Sequence, residues 1–365
     1  MTLGLLLSLA VLGAAPPARE NAELLARPLL ARPVDSARVE RVLASLDLRR
    51  RAAQLLLAYP QLSTTSPVEV GGILFVGNLL RNPKAAKARI ESAVARARVP
   101  PFVAVDMEGG PTNRMKNVRG LEALPSARDM AELGDAEVER WGKKVGVAMR
   151  ALGLNLNLAP VFDVAQSGHM QRNGRSFSGD RDVVVAKATA YARGLLAAGV
   201  VPIGKHFPGY GDIDGDSDHA LATADWPKER VLAEADVFGR ARASLGGVML
   251  ANVAYASIDA RPAILAPAIV GMVHERGWLA VTDDVSIGLL AAAIGGTAED
   301  VLTQAFFAGN DLLLTTAPPD WAKGLDYVGV LSRLAEGDPR ARRLLDDACR
   351  RVLGLKDRMG LLDGL

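Results

Sequence analysis

The stretch KHFPGYGDIDGDSDHALA, Lys205 to Ala222, holds two of the chain's four histidines, four aspartates and three glycines. So much polarity does not suit a core segment, and so much glycine does not suit a helix. Such a loop is suited to moving a proton, through an imidazole or through a carboxyl group whose pKa its surroundings raise. A second acidic feature closes the run WLAVTDD, where Asp283 and Asp284 follow four apolar-rich positions. Two groups on different strand ends can flank a glycosidic bond, one attacking or stabilising the anomeric carbon and the other protonating the leaving oxygen. Asp283 has a competing structural use, because TDDVSIGLL reads as the start of a helix and aspartate is a good N-cap. With two adjacent aspartates, one can cap while the other faces a pocket.

Such groups need a scaffold that brings distant strand ends together. Eight short runs rich in Val, Leu and Ile recur along the chain: 53–59, 70–78, 101–106, 154–163, 200–207, 247–253, 278–284 and 311–316. They are nearly continuous in apolar character, as parallel strands buried on both faces are. Amphipathic stretches such as PKAAKARIESAVARAR and AEVERWGKKVGVAMRALG separate most of them,. Eight alternations predict a TIM-type (β/α)8 barrel, an α/β fold filling residues 51–338 as one catalytic domain. Polar residues collect at the C-terminal ends of the runs: Asn78, Asp106, Asp163, Lys205 with His206, Asn252, Asp283 with Asp284, and Thr315 with Thr316. In a barrel these ends converge on one mouth. A helical lead-in is expected over 19–50, and a closing helix within 339–365, in PRARRLLDDACRRVLGLKDRMGLL.

The 365 residues carry a formal net charge of +2 and 49% hydrophobic residues, with no block of five like charges. That balance argues against a nucleic-acid partner, and the clusters Arg49–Arg51 and Arg342–Arg343 read as solvated helix faces. The opening residues MTLGLLLSLAVLGAAPPARE combine an apolar run too short to span a bilayer with a Gly-Ala-Ala cleavage pattern,. They read as a signal peptide within residues 1–18, with a buried first helix as the alternative. The expected location is periplasmic or secreted, without a membrane span after cleavage. The single cysteine, Cys349, allows no intramolecular disulfide, offers no lipid-attachment site after the apolar run, and sits at an apolar helix position as an inert thiol,. No metal or organic cofactor is implied, since the histidines lack a ligand pattern such as H-E-x-x-H.

Six segments, in order, resemble glycoside hydrolase family 3, its N-terminal barrel domain, and within it the single-domain bacterial β-N-acetylglucosaminidases. VAVDMEGGPTNRM is similar to the D-x-E-G-G-R-x-x-R segment, LNLNLAPVFDV to N-x-A-P-V-x-D-V, and NGRSFSGD to G-x-R-S-F. KHFPGYGD matches K-H-F-P-G-H-G-D at seven of eight positions, VTDDVS is similar to the nucleophile motif S-D-D-L-S, and AFFAGNDLLL to A-x-x-A-G-x-D-x-x-L. The resemblance covers residues 45 to 320. It implies that Asp283 is the nucleophile and that Asp106, Arg114, Arg175, Lys205 and His206 grip sugar hydroxyls by charge-assisted hydrogen bonds. Lys205 and Arg175 have a structural alternative as partners of Asp163, Asp106 or Asp180.

The acid/base loop differs from the subgroup's G-D-T-x-x-D-S-H. Asp216 and Ser217 match, Asp218 stands in the histidine's place, and His219 follows one residue later. Either the loop slips by one residue and His219 donates with Asp216 or Asp218 behind it, or Asp218 is itself the acid, its pKa raised by burial near the Asp283 charge. Pro111, Tyr210 and Asn252 also replace an arginine and two histidines of the family pattern. The resemblance therefore implies an exo-acting, retaining β-glycosidase acting on an oligosaccharide or muropeptide, with terminal β-linked N-acetylglucosamine of peptidoglycan fragments as the substrate. β-Glucosides or β-xylosides, a phosphorolytic reaction, and a sugar-binding barrel without turnover stay open.

Overall fold

The computed structural model describes residues 29–59, 69–215, 222–316 and 325–365. The apolar leading segment and the loop residues Asp216, Asp218 and His219 lie outside them. Among the described residues there are eleven strands: β1 (Leu56–Ala58), β2 (Gly72–Phe75), β3 (Phe102–Val105), β4 (Leu156–Asn157), β5 (Val201–Phe207), β6 (Ala222–Ala224), β7 (Gly247–Leu250), β8 (Val253–Tyr255), β9 (Asp259–Pro262), β10 (Leu279–Thr282) and β11 (Leu313–Thr315). Eight of them form one parallel sheet in the order β10-β7-β5-β4-β3-β2-β1-β11. A parallel bridge between Val281 and Leu312 brings its two edges together into a TIM-type barrel,. Each apolar run in the sequence contains one of these eight strands.

Period-two alternation explains why those runs are continuous. Phe102 and Ala104 on β3, Ile203 on β5, and Leu279 and Val281 on β10 point into the barrel, where they pack with Leu57, Leu74, Leu156, Met249 and Leu314,. Their neighbours Val103, Val105 and Ala280 point outward against the helices. Both faces are buried, so neither needs polar residues. Val352 and Leu355 of the helix Pro339–Arg358 join the inner cluster and close the barrel from its base. Cys349 on that helix is buried with its thiol pushed up to about 12, burial being the main cause,.

On the outside, the helices Asp135–Leu152 and Arg181–Ala197 cross closely because Gly142 leaves room for the opposing backbone. A Cβ there would come within 2.2 Å of the Tyr191 carbonyl oxygen. The close crossing seats Tyr191, whose hydroxyl donates to the Met107 carbonyl at 2.9 Å just beyond β3. Beside the barrel lies a small sheet that the alternation does not announce, with β6 parallel and β9 antiparallel to β8. Its strands are three or four residues long; β8 begins at the end of the run read as one barrel strand, and β9 is the polar DARP.

Candidate active site

The inward alternation carries polar residues to the barrel mouth. Two positions beyond the inward Ala104, Ile203, Val281 and Leu314 come Asp106, Lys205, Asp283 and Thr316, and all four line one cavity of about 380 Å³,. This size lies within the range of small-molecule sites. Leu74, Leu158, Met249 and Leu314 form its apolar floor, while Arg114, Arg175 and His206 join the polar wall. Lys205 and His206 are consecutive yet both reach the cavity, because the β5–β7 register slips between Lys205 and Phe207. Two residues of β5 there oppose a single step of β7, which is the geometry of a β-bulge.

The wall is an ion-pair network. Lys205 binds Asp106, and its ammonium is also 2.6 Å from Glu108 Oε1. Arg175 grips Glu108 with two parallel bonds, Nε to Oε2 and Nη2 to Oε1, both 2.8 Å,. Arg114 Nη2 stands 3.6 Å from Asp106 Oδ2. The side chains of Lys205 and Glu108 are each only 3% exposed, so the charges act through little solvent,. Burial alone would raise the Glu108 carboxyl, but Arg175 and Lys205 more than offset it and hold it well below the usual carboxylate range. Burial would likewise lower Lys205, yet Asp106 and Glu108 keep it raised; Arg175 is raised in the same way by Glu108,. Glu108, Lys205 and Arg175 thereby hold one another in their charged forms.

Backbone anchors set these side chains in place. Asn157 on β4 accepts from the Met107 amide at 2.9 Å and donates back to its carbonyl at 3.1 Å, so Asp106 and Glu108 flank a pinned peptide. His206 is held from behind by Asp163. Its amide donates to Asp163 Oδ1 at 3.1 Å, and its Nδ1 lies 2.7 Å from Oδ2. A carboxylate only accepts, so Nδ1 carries the proton in this bond. Asp163 also accepts from the Tyr210 amide at 2.7 Å.

Just past β10, Asp283 Oδ1 accepts from the Asp284 amide at 2.8 Å. Asp284 accepts from the Ser286 amide at 2.8 Å and from the Thr316 hydroxyl, tying β10 to β11. The capping alternative does not hold for either aspartate, because the next helix starts at Gly288 with Ile287 before it. Both line the cavity.

The structure thus brings Asp106, Arg114, Arg175, Lys205, His206 and Asp283 together. Several sequence readings need correction. Asn78 lies on an exposed turn, while Asp163 and Asn252 are fully buried, and none of the three lines the cavity. Arg175 pairs with Glu108 rather than with Asp163, Asp106 or Asp180; Asp180 caps the helix Arg181–Ala197. Glu108 was passed over, although it lies two residues from Asp106 in DMEGG and is the only acid between that strand end and the glycines. His169 was also unread, and it lines the cavity from the segment after β4. The three departures from the family pattern find structural places. Pro111 is exposed and away from the cavity, Asn252 donates to the Asp284 carbonyl at 3.4 Å, and the Tyr210 hydroxyl donates to the Gly215 carbonyl at 2.5 Å. Among the described residues, no group of three or more His, Cys, Asp or Glu is placed to hold a metal ion.

Fold and site together define a parallel α/β barrel with a carboxylate facing a cationic, sugar-sized clamp at its C-terminal mouth. The chain belongs to glycosyl hydrolase family 3: residues 50–355 match the glycosyl hydrolase family 3 N terminal domain. Its reaction class is glycoside hydrolysis. The chain is 32% identical to a β-hexosaminidase of Methylococcus capsulatus, over 68% of this chain and 76% of the relative. Among solved structures it is similar to a β-N-acetylhexosaminidase from Beutenbergia cavernae, with a TM-score of 0.75 and 29% identity over 84% of this chain and 98% of the other. It is also similar to LpqI of M tuberculosis, with a TM-score of 0.76 and 27% identity over 86% and 95% of the two chains.

Proposed function

We propose that the protein is an exo-acting, retaining β-N-acetylhexosaminidase that removes terminal β-linked N-acetylglucosamine from peptidoglycan-derived fragments. Asp283 attacks the anomeric carbon, and a donor in the 211–219 loop, Asp218 or His219 with Asp216 beside it, protonates the leaving oxygen and later activates water. Asp106, Arg114, Arg175, Lys205 and His206 hold the ring. The observation that carries this reading is the sharing of one cavity by Asp283 and the clamp. The β-hexosaminidase names of the similar proteins support the choice of sugar. The protein acts outside the cytoplasm after loss of its apolar leader. No helix among the described residues is long and apolar enough to cross a membrane.

A panel of aryl β-glycosides, with and without phosphate, tests the activity. The expected outcome is release of aryl alcohol from the β-N-acetylglucosaminide, independent of phosphate, falling by about 10³-fold or more in Asp283→Asn. Release from only the glucoside or xyloside would reassign the sugar, and a steep rise with phosphate would make the reaction phosphorolysis. Sugar-dependent thermal stabilisation with no turnover would support the one competing reading that the residues favour, a binding barrel, since Asp218 occupies the place of the subgroup's donor histidine.

A further inference from the structure

The loop after β5 is fastened to the segment after β4 through Asp212, Ile213 and Asp214. Asp212 Oδ1 accepts from the Gln166 amide at 2.7 Å and the Ser167 amide at 3.0 Å, while Oδ2 faces Arg230 Nη2 at 3.3 Å. Arg230 in turn stacks on Trp226, 4.1 Å from its ring centroid, and Trp226 packs over Gly211. The Ile213 carbonyl accepts from the His169 amide at 2.9 Å. Arg172 forks across Asp214, with Nη1 to Oδ1 at 2.6 Å and Nη2 to the backbone oxygen at 3.0 Å. The Gly215 carbonyl takes the Tyr210 hydroxyl. Gly168, at φ +75°, permits the approach: a Cβ there would lie 2.6 Å from the Asp212 carbonyl carbon and 2.6 Å from the Ile213 oxygen,.

We propose that Asp212 is a positioning residue for the proton donor: by locking the β5 loop onto the β4 segment, it fixes the stem from which residues 216–219 continue. The inference rests on the proposed function, in which that loop supplies the acid. Asp212 is the natural centre of the device. Among the described residues it is the one side chain that bonds both to two amides of the neighbouring segment and to the Arg230–Trp226 stack on the other side. The same lock seats His169, whose ring lines the cavity.

A donor that is misplaced rather than absent has a recognisable kinetic signature. Bond cleavage to a poor leaving group needs protonation, whereas a good leaving group departs without it. In Asp212→Ala, kcat/KM for a phenyl β-N-acetylglucosaminide falls by about 10–100-fold, while that for the dinitrophenyl analogue falls by less than about 3-fold. Asp212→Asn keeps the Oδ1 acceptor and recovers the phenyl substrate to within about 3-fold of wild type. Gly168→Ala, which displaces the same contact from the other side, gives the same leaving-group split. Equal losses on both substrates, or no loss on either, overturn the proposal. Hydrogen exchange separates this result from failure of the glycosidase reading. The lock predicts amide exchange in 166–169 and 211–215 that is about 10-fold faster in Asp212→Ala, whatever the turnover, and unchanged exchange overturns it. If Asp212→Ala exchanges as predicted but the wild type cleaves neither substrate, the glycosidase reading and the donor role with it are lost, leaving the lock a structural feature alone.

Discussion

The network of Asp106, Glu108, Arg175 and Lys205 shows how a clamp of charges survives inside a barrel. Glu108 sits between two cations, so removing it leaves a bidentate arginine buried without its partner, a change that costs more than the pair itself contributes. Glu108→Gln therefore lowers stability by about 3 kcal/mol at neutral pH, as read from urea unfolding. The pH dependence has a definite sign. Glu108 is held below its unfolded pKa of about 4.3, so the unfolded chain binds more protons in acid, and its contribution is full above that value and lost as pH falls through the folded one,. The deficit of Glu108→Gln should accordingly narrow below about pH 4. A deficit that stays constant from neutral to pH 3 would contradict the network. Sequence could reach Asp106, Lys205 and Asp283, because inward alternation at strand ends is local. It could not reach Glu108, whose partners lie 67 and 97 residues away, nor could it tell that Asp163 turns behind His206.

At the scale of elements, the helix Pro339–Arg358 carries an unusual group into the barrel base. Lys356 is fully buried, donates to Gln54 Oε1 at 2.7 Å and lies over the Phe102 ring at 5.2 Å, with no carboxylate in ion-pair range among the described residues. Burial pulls its pKa down to about 7, with a small opposing pull from Cys349. The unfolded chain holds this proton up to about pH 10.4, so folding releases it between roughly pH 7 and 10, and stability rises with pH across that window. Wild type should gain roughly 2–5 kcal/mol from pH 7 to 10 relative to Lys356→Met, measured as the difference in urea unfolding free energy. A difference that does not move with pH would mean that the folded amine keeps its proton across that window. The helix itself was legible from its 3.6-residue pattern. Its lysine was not, because a lysine in the last turn of an amphipathic helix normally carries its ammonium to solvent.

At the scale of the molecule, closure of the sheet sets β10 diametrically across from β3, which places Asp283 opposite the clamp. The eight apolar runs made that closure readable, since parallel strands buried on both faces carry no polar positions until they reach the mouth. The β6-β8-β9 sheet was not readable, because its strands are only three or four residues long. The proposed route from fold to reaction passes through one bond: a covalent link from Asp283 to the anomeric carbon of a sugar that Asp106, Arg175 and Lys205 are proposed to hold. Incubation with an activated fluorinated β-N-acetylglucosaminide that slows breakdown of the intermediate, followed by peptide mass spectrometry, tests it directly. The account predicts one sugar per chain, attached at Asp283 and lost on return to unlabelled buffer. A label on another residue, or turnover proceeding with Asp283 unmodified, would contradict it.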